Sequence, residues 1–291
     1  MQNNQFGFPG NEWLTPEFVE RRVRDRLEAA GIQPDIGLRL LRRTDSIISG
    51  STPIPILVNL PFKPNDLDMY ITKPQQRTVL GVLTTDLGFV VFRRTNDDYV
   101  VGFGIAHILW LRKNHHVINV LVVSGDNAVE SIFHFHSTIV MNFISGYGVF
   151  CAYPALTLRK RSVTNHSILS DQTSTNRART CFEKYERRGI CHKDHLRHHV
   201  NWLGHRDHVD WSAHICGTDK ACPSTFRTLH DDGSLFIPFP STTTPASPPV
   251  IFNGVDSVVW SLGGSSCSPL PVGHESFVQT IPVTFLKVTT S

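Results

Sequence analysis

No run of eighteen apolar residues occurs in this chain of 291, so nothing in it reads as a membrane-spanning helix. The opening stretch Met1 to Pro9 lacks the basic-then-apolar order of a secretion signal. The expectation is an intracellular protein, cytoplasmic or nuclear, with no membrane contact. There is no Cys-x-x-Cys pair, no Gly-x-Ser-x-Gly turn and no internal repeat. Those absences argue against a tight zinc knuckle, a hydrolase nucleophile elbow and a solenoid. A strong charge of one sign is missing too, since 28 Lys and Arg against 25 Asp and Glu leave a net +3. That is too little to argue nucleic-acid binding by itself.

The distribution of charge says more. Residues 151–200 hold ten Lys/Arg against four Asp/Glu, whereas residues 231–291 hold one Lys and four acids. The middle segment is either a solvated, charge-rich helix or a surface for a polyanion. With 40% hydrophobic residues the chain is long enough for one full core and a small second unit.

What is present and specific is Ser49-Gly50-Ser51 followed by Asp66-Leu67-Asp68. Side chains alternate across a strand, so Asp66 and Asp68 share a face while Leu67 points into a core. Two adjacent carboxylates repel, and a cation between them relieves that. Paired oxygen ligands suit Mg²⁺ or Mn²⁺ carrying a triphosphate. Gly50 would let the backbone approach phosphates. Ser51 would offer its hydroxyl and N–H at the start of a helix over Thr52–Leu60, with Pro53 and Pro55 tolerated in its first turn.

With these motifs the chain resembles the nucleotidyltransferase superfold, and more closely a fungal group of uncharacterised nucleotidyltransferase-like domain proteins. The matching stretches are Ile48-Ser49-Gly50-Ser51, Asn65 to Tyr70, Ile132 to Asn142, Tyr153 to Leu158, Lys184 to Gly189 and Cys222 to Arg227. They span roughly residues 40 to 235. The resemblance implies an α/β (α+β) fold, a short mixed β-sheet with flanking helices and a nucleotide–metal site at its strand ends. It implies no particular acceptor.

One position departs from that pattern. Members of the superfold that catalyse carry a third carboxylate on a neighbouring strand, completing a two-metal site. The corresponding strand here is Val117 to Val123, and its polar inward residue is Asn119. An amide oxygen ligates without charge and cannot serve as a base. Asp126 and Glu130 follow the strand and suit the start of the next helix.

Two readings stand side by side. In one, the protein moves a nucleoside monophosphate from an NTP to an unknown acceptor, with nucleic acid one candidate. Asp66 and Asp68 would hold Mg or Mn, Gly50 and Ser51 the triphosphate, and cations from 159–161 would neutralise charge. In the other, Asn119 marks a catalytically inactive binding or interaction module.

Elsewhere the pattern predicts a helix from Pro16 capped by Thr15 and ended by Gly31, and a second over Pro34–Arg43. Further helices are expected over Lys73–Leu83, Ala128–Phe135 and Asn176–Arg188, with β segments at 89–93, 104–112 and 116–123. Thr138–Ile144 and Val149–Tyr153 read as a hairpin. His136 and Ser137, as strand neighbours, should face opposite sides and share no hydrogen bond. His and Cys crowd residues 191–230, and Cys191, His195, Cys216 and Cys222 form a candidate structural zinc set. Cys151 and Cys181 read as buried thiols. The expected organisation is a nucleotidyltransferase-like domain over 12–200, a His/Cys-rich extension over 201–237 and a Pro/Ser/Thr-rich, poorly ordered tail over 238–291.

Overall fold

The computed structural model describes residues 14–95, 104–168, 172–193, 217–242 and 258–263. Helix α1 (Pro16–Ala29) starts where Thr15 Oγ1 accepts the Phe18 N–H, and Pro16 fills a position that needs no donor. Gly31, at φ +78°, turns the chain into α2 (Pro34–Thr44). Val19, Val23 and Leu27 recur at helical spacing and are buried with Leu38 and Leu41.

The chain then enters a mixed sheet of eight strands, more than the short sheet expected. Strand β1 (Ile47–Ser49) pairs antiparallel with β2 (Leu67–Thr72), and β2 pairs parallel with β5 (His116–Val123). Strand β4 (Ile105–Lys113) follows antiparallel to β5, and β3 (Val90–Arg94) forms the outer edge. On the other side of β1 lie β6 (Asn142–Ile144), β7 (Gly148–Cys151) and β11 (Leu235–Pro238), all antiparallel. Two small pairs stand apart. They are β8 (Arg161–Val163) with β9 (Cys191–Lys193), and β10 (Arg227–Thr228) with β12 (Val259–Trp260).

Alternation along the strands divides the core in two. Leu67, Met69, Ile71, Ile118, Val120 and Val122 point toward the N-terminal helices, joined by α3 (Ile54–Leu57) and α4 (Gln76–Gly81). Tyr70 and Val123 point the opposite way, into a second cluster with Ile132, Phe133, Phe150 and Trp260. Asp68 lies on this second face, which α6 (Gln172–Glu186) also approaches through the buried Ala178. The site-bearing face is therefore built largely from residues after 128.

Several elements differ from expectation. The helix expected over Thr52–Leu60 is the single turn of α3, which ends where Val58 leaves helical backbone for an extended conformation (φ −136°, ψ 139°). Ala128–Phe135 contains a 3₁₀ turn at Glu130–His134, and the hairpin forms only over β6 and β7, with another 3₁₀ turn at Thr138–Val140. Within the stretch expected to be a loose tail, Val258, Trp260 and Leu262 are buried. Trp260 stacks on Phe133 with ring centroids 3.8 Å apart and donates to the Tyr153 hydroxyl. The extension is likewise part of the same fold: β11 completes the main sheet, and Arg227 is buried against Asp231 and the Ala152 and Lys220 carbonyls.

Candidate functional site

The register places Ser49 opposite Asp68 and Asp68 opposite Asn119. Strand pairing alone therefore brings the Gly-Ser turn, the Asp pair and Asn119 together. Asn119 Nδ2 donates to Asp68 Oδ1 at 2.7 Å and to Asp66 Oδ2 at 3.1 Å. One amide bridges both carboxylates, and its carbonyl oxygen is buried with no hydrogen-bond partner among the described residues.

Burial, then the charge of Asp66, pushes the Asp68 carboxyl up to about 6, and the hydrogen bond from Asn119 only partly opposes this. The cations acting on it are Lys184 of α6 and Arg26 of α1. The expected cations at 159–161 are not the ones that do so. Arg26 donates to the Asp66 carbonyl at 2.6 Å while its Nε is buried without a hydrogen-bond partner among the described residues. Sequence reasoning missed both cations. Lys184 had a signal, since it opens one of the matching blocks, but Arg26 reaches in from the opposite core and had none.

Gly50 is at the site for a different reason from the one expected. Its φ is +70°, and a Cβ there would lie 2.5 Å from Asp68 Oδ2. The space a side chain would need is already taken by the carboxylate, so Gly50 lets Asp68 in. Ser51 is buried within a turn, and the one-turn α3 begins three residues later, at Ile54. The expected helix N-terminus for an anion is absent at Ser51.

No third His, Cys, Asp or Glu joins the Asp pair among the described residues. Glu130 instead opens its 3₁₀ turn. The donor set is thus two carboxylates and one orphaned amide oxygen. These hard oxygens fit Mg²⁺ or Mn²⁺, and a cation would offset the repulsion between the carboxylates.

Two residues further along β2 and β5, Tyr70 and Leu121 open an apolar cavity of about 260 Å³ closed by Phe135, His136, Ala178 and Cys181. Cys181 is only half-buried, unlike the fully buried Cys151. Burial lowers His136 to about 3, so it stays neutral. Contrary to expectation, His136 Nδ1 and Ser137 Oγ are hydrogen-bonded at 2.8 Å. His136 sits in a bend, not a strand, so the alternation that would separate them does not apply. Of the zinc candidates, Cys191 is half-buried in β9 and Cys222 is buried, while His195 and Cys216 lie outside the described residues. No helix among the described residues is long and apolar enough to cross a membrane. No family model, curated protein or solved structure matches the chain.

Proposed function

We propose that this protein binds a nucleoside triphosphate through a divalent cation, Mg or Mn, at Asp66 and Asp68, and that it does so as a binding module without nucleotidyl transfer. The observation that carries this is the Asn119 amide, bonded to both carboxylates in the position where transfer chemistry would need a third. Asp66 and Asp68 would hold the cation where Asn119 Nδ2 now sits, with the amide turned so that its carbonyl oxygen faces the cation, which would supply the charge that binds a triphosphate. Lys184 acts on the same carboxylates from α6 and would meet the outer phosphates. The neighbouring apolar cavity gives a planar base somewhere to lie.

Because Asn119 brings no negative charge, the pair neutralises one cation better than two, and no third carboxylate joins it among the described residues. The reading favours occupancy over turnover. The test is a thermal-shift titration with the four NTPs, with and without Mn²⁺, on wild type and on Asp66→Ala/Asp68→Ala. Ligand at a hundred times its Kd should stabilise the fold by about 2.7 kcal/mol in wild type only. A shift that ignores metal, or survives in the double variant, refutes the assignment. Transfer to any acceptor by the wild type refutes the inactive half of it.

A further inference from the structure

The row that holds the Asp pair continues across the sheet. Asp68 lies opposite Asn119, Asn119 opposite Trp110, and Trp110 opposite Arg93 at the outer strand. With strands about 4.8 Å apart, Arg93 is roughly 14 Å from Asp68, the length of about four stacked bases.

The outer strands carry charge of one sign. Residues 88–95 and 104–123 include Arg93, Arg94, Arg112 and Lys113 and no acid, while Asp97 and Asp98 of the connecting stretch lie outside the described residues. None of these four is in an ion pair among the described residues. Three lie over aromatic rings, Arg93 at 4.7 Å from the Trp110 centroid, Arg112 at 5.3 Å from that of Phe92 and Lys113 at 5.8 Å from that of the buried Phe89. Phe92 is 49% exposed, an unusual cost for a phenyl ring on an edge strand. A β-bulge between Val91 and Arg93 sets Phe92 at a break in the ladder.

Flat rings topped by guanidinium planes, arginines outside any ion pair among the described residues and a half-exposed phenyl are what a single strand of nucleic acid recognises. Bases stack on rings and guanidinium planes, and phosphates take the charge. An apolar protein partner would leave Arg93 and Arg112, which share the Trp110 face, unmatched. From this juxtaposition we infer that the β3–β4 edge is a binding surface for single-stranded nucleic acid, independent of the nucleotide site beside it.

The test is fluorescence anisotropy of labelled oligouridylate and oligothymidylate on the full chain, as a function of salt. Both strands should bind, with log K falling against log salt at a slope of about −0.7 per phosphate contacted, so roughly −1.4 to −2.8 for two to four contacts. Arg93→Glu/Arg112→Glu should weaken binding at least tenfold and flatten the slope. Phe92→Ser, at a half-exposed site that leaves the core intact, should weaken it roughly five- to a hundredfold with the slope retained. Tighter binding of the ribo-strand would identify RNA as the source, and equal binding would identify the shared strand chemistry. Asp66→Ala/Asp68→Ala should bind the strand as wild type does, so failure of the NTP assay leaves this one readable. The inference is overturned if neither strand binds at low salt, if the Phe92 and arginine variants bind unchanged, or if phosphatidylserine vesicles bind and the strands do not.

Discussion

Asp68→Asn should make the metal-free protein more stable at neutral pH, although it removes half of the proposed cation site. Folding takes this carboxyl from 3.8 to about 6, by burial first and then by Asp66. A group whose folded value is raised costs stability above its unfolded value. That cost is absent below about pH 4, grows as pH rises toward about 6, and is constant beyond. A shift of roughly two units corresponds to a ceiling of about 3 kcal/mol at about 1.4 kcal/mol per unit. Asp68 is not fully enclosed, so solvent screening lowers the expectation to about 1–2 kcal/mol. The asparagine carbonyl keeps the hydrogen bond now accepted from Asn119, and no buried acceptor is lost. Urea unfolding in EDTA, at about pH 5 and about pH 8, measures the difference. The gain should be largest at the higher pH and smaller by up to about 1.4 kcal/mol at the lower. A variant less stable than wild type at pH 8, or stabilised equally at both, would show that the pair is not held in repulsion and would remove the reason to invoke a cation.

Gly50→Ala should destabilise the fold by at least 1–2 kcal/mol, because it combines a left-handed φ with a Cβ directly against Asp68 Oδ2. A smaller loss in Asp68→Gly/Gly50→Ala than the sum of the single changes, by urea melts, would confirm the contact. Asp231→Ala should cost about 3–5 kcal/mol in a thermal melt, since it strips the carboxylate from an arginine that is 1% exposed. Replacing Arg227 and Asp231 together by apolar residues should cost less than the single change.

The parts of the fold legible in the sequence were those governed by local chemistry. Thr15 and Pro16 marked a helix start, and Gly31 marked its end, at positive φ. Alternation in Asp66–Ile71 and Val117–Val123 located β2 and β5, and so the Asp pair and Asn119. What was not legible depends on contacts far apart in the chain. Arg26 meets Asp66 across forty residues of intervening chain. The reason for Gly50 was misassigned because the group facing it, Asp68, is brought there by strand pairing. His136 and Ser137 were misjudged because the alternation rule was applied to a bend. Trp260 was overlooked because residues 238–291 were read as one Pro/Ser/Thr-rich tail, although 250–268 hold no proline, and its partners, Phe133 and Tyr153, lie more than a hundred positions earlier.

Trp260 sets a constraint on when the protein becomes itself. Synthesis delivers the N-terminal helices and β1 to β5 first, and these supply most of the first core, which residues as late as Ile237 and Phe239 complete. The opposite face cannot close until residues 258–262 have been made, because Val258, Trp260 and Leu262 supply part of its packing. A nascent chain stopped in the preceding linker would carry Asp66, Asp68 and Asn119 in register but leave Phe133 without the ring that covers it. Such a half-closed intermediate would be prone to aggregate, so the late docking of one tryptophan governs yield during production as much as stability afterwards.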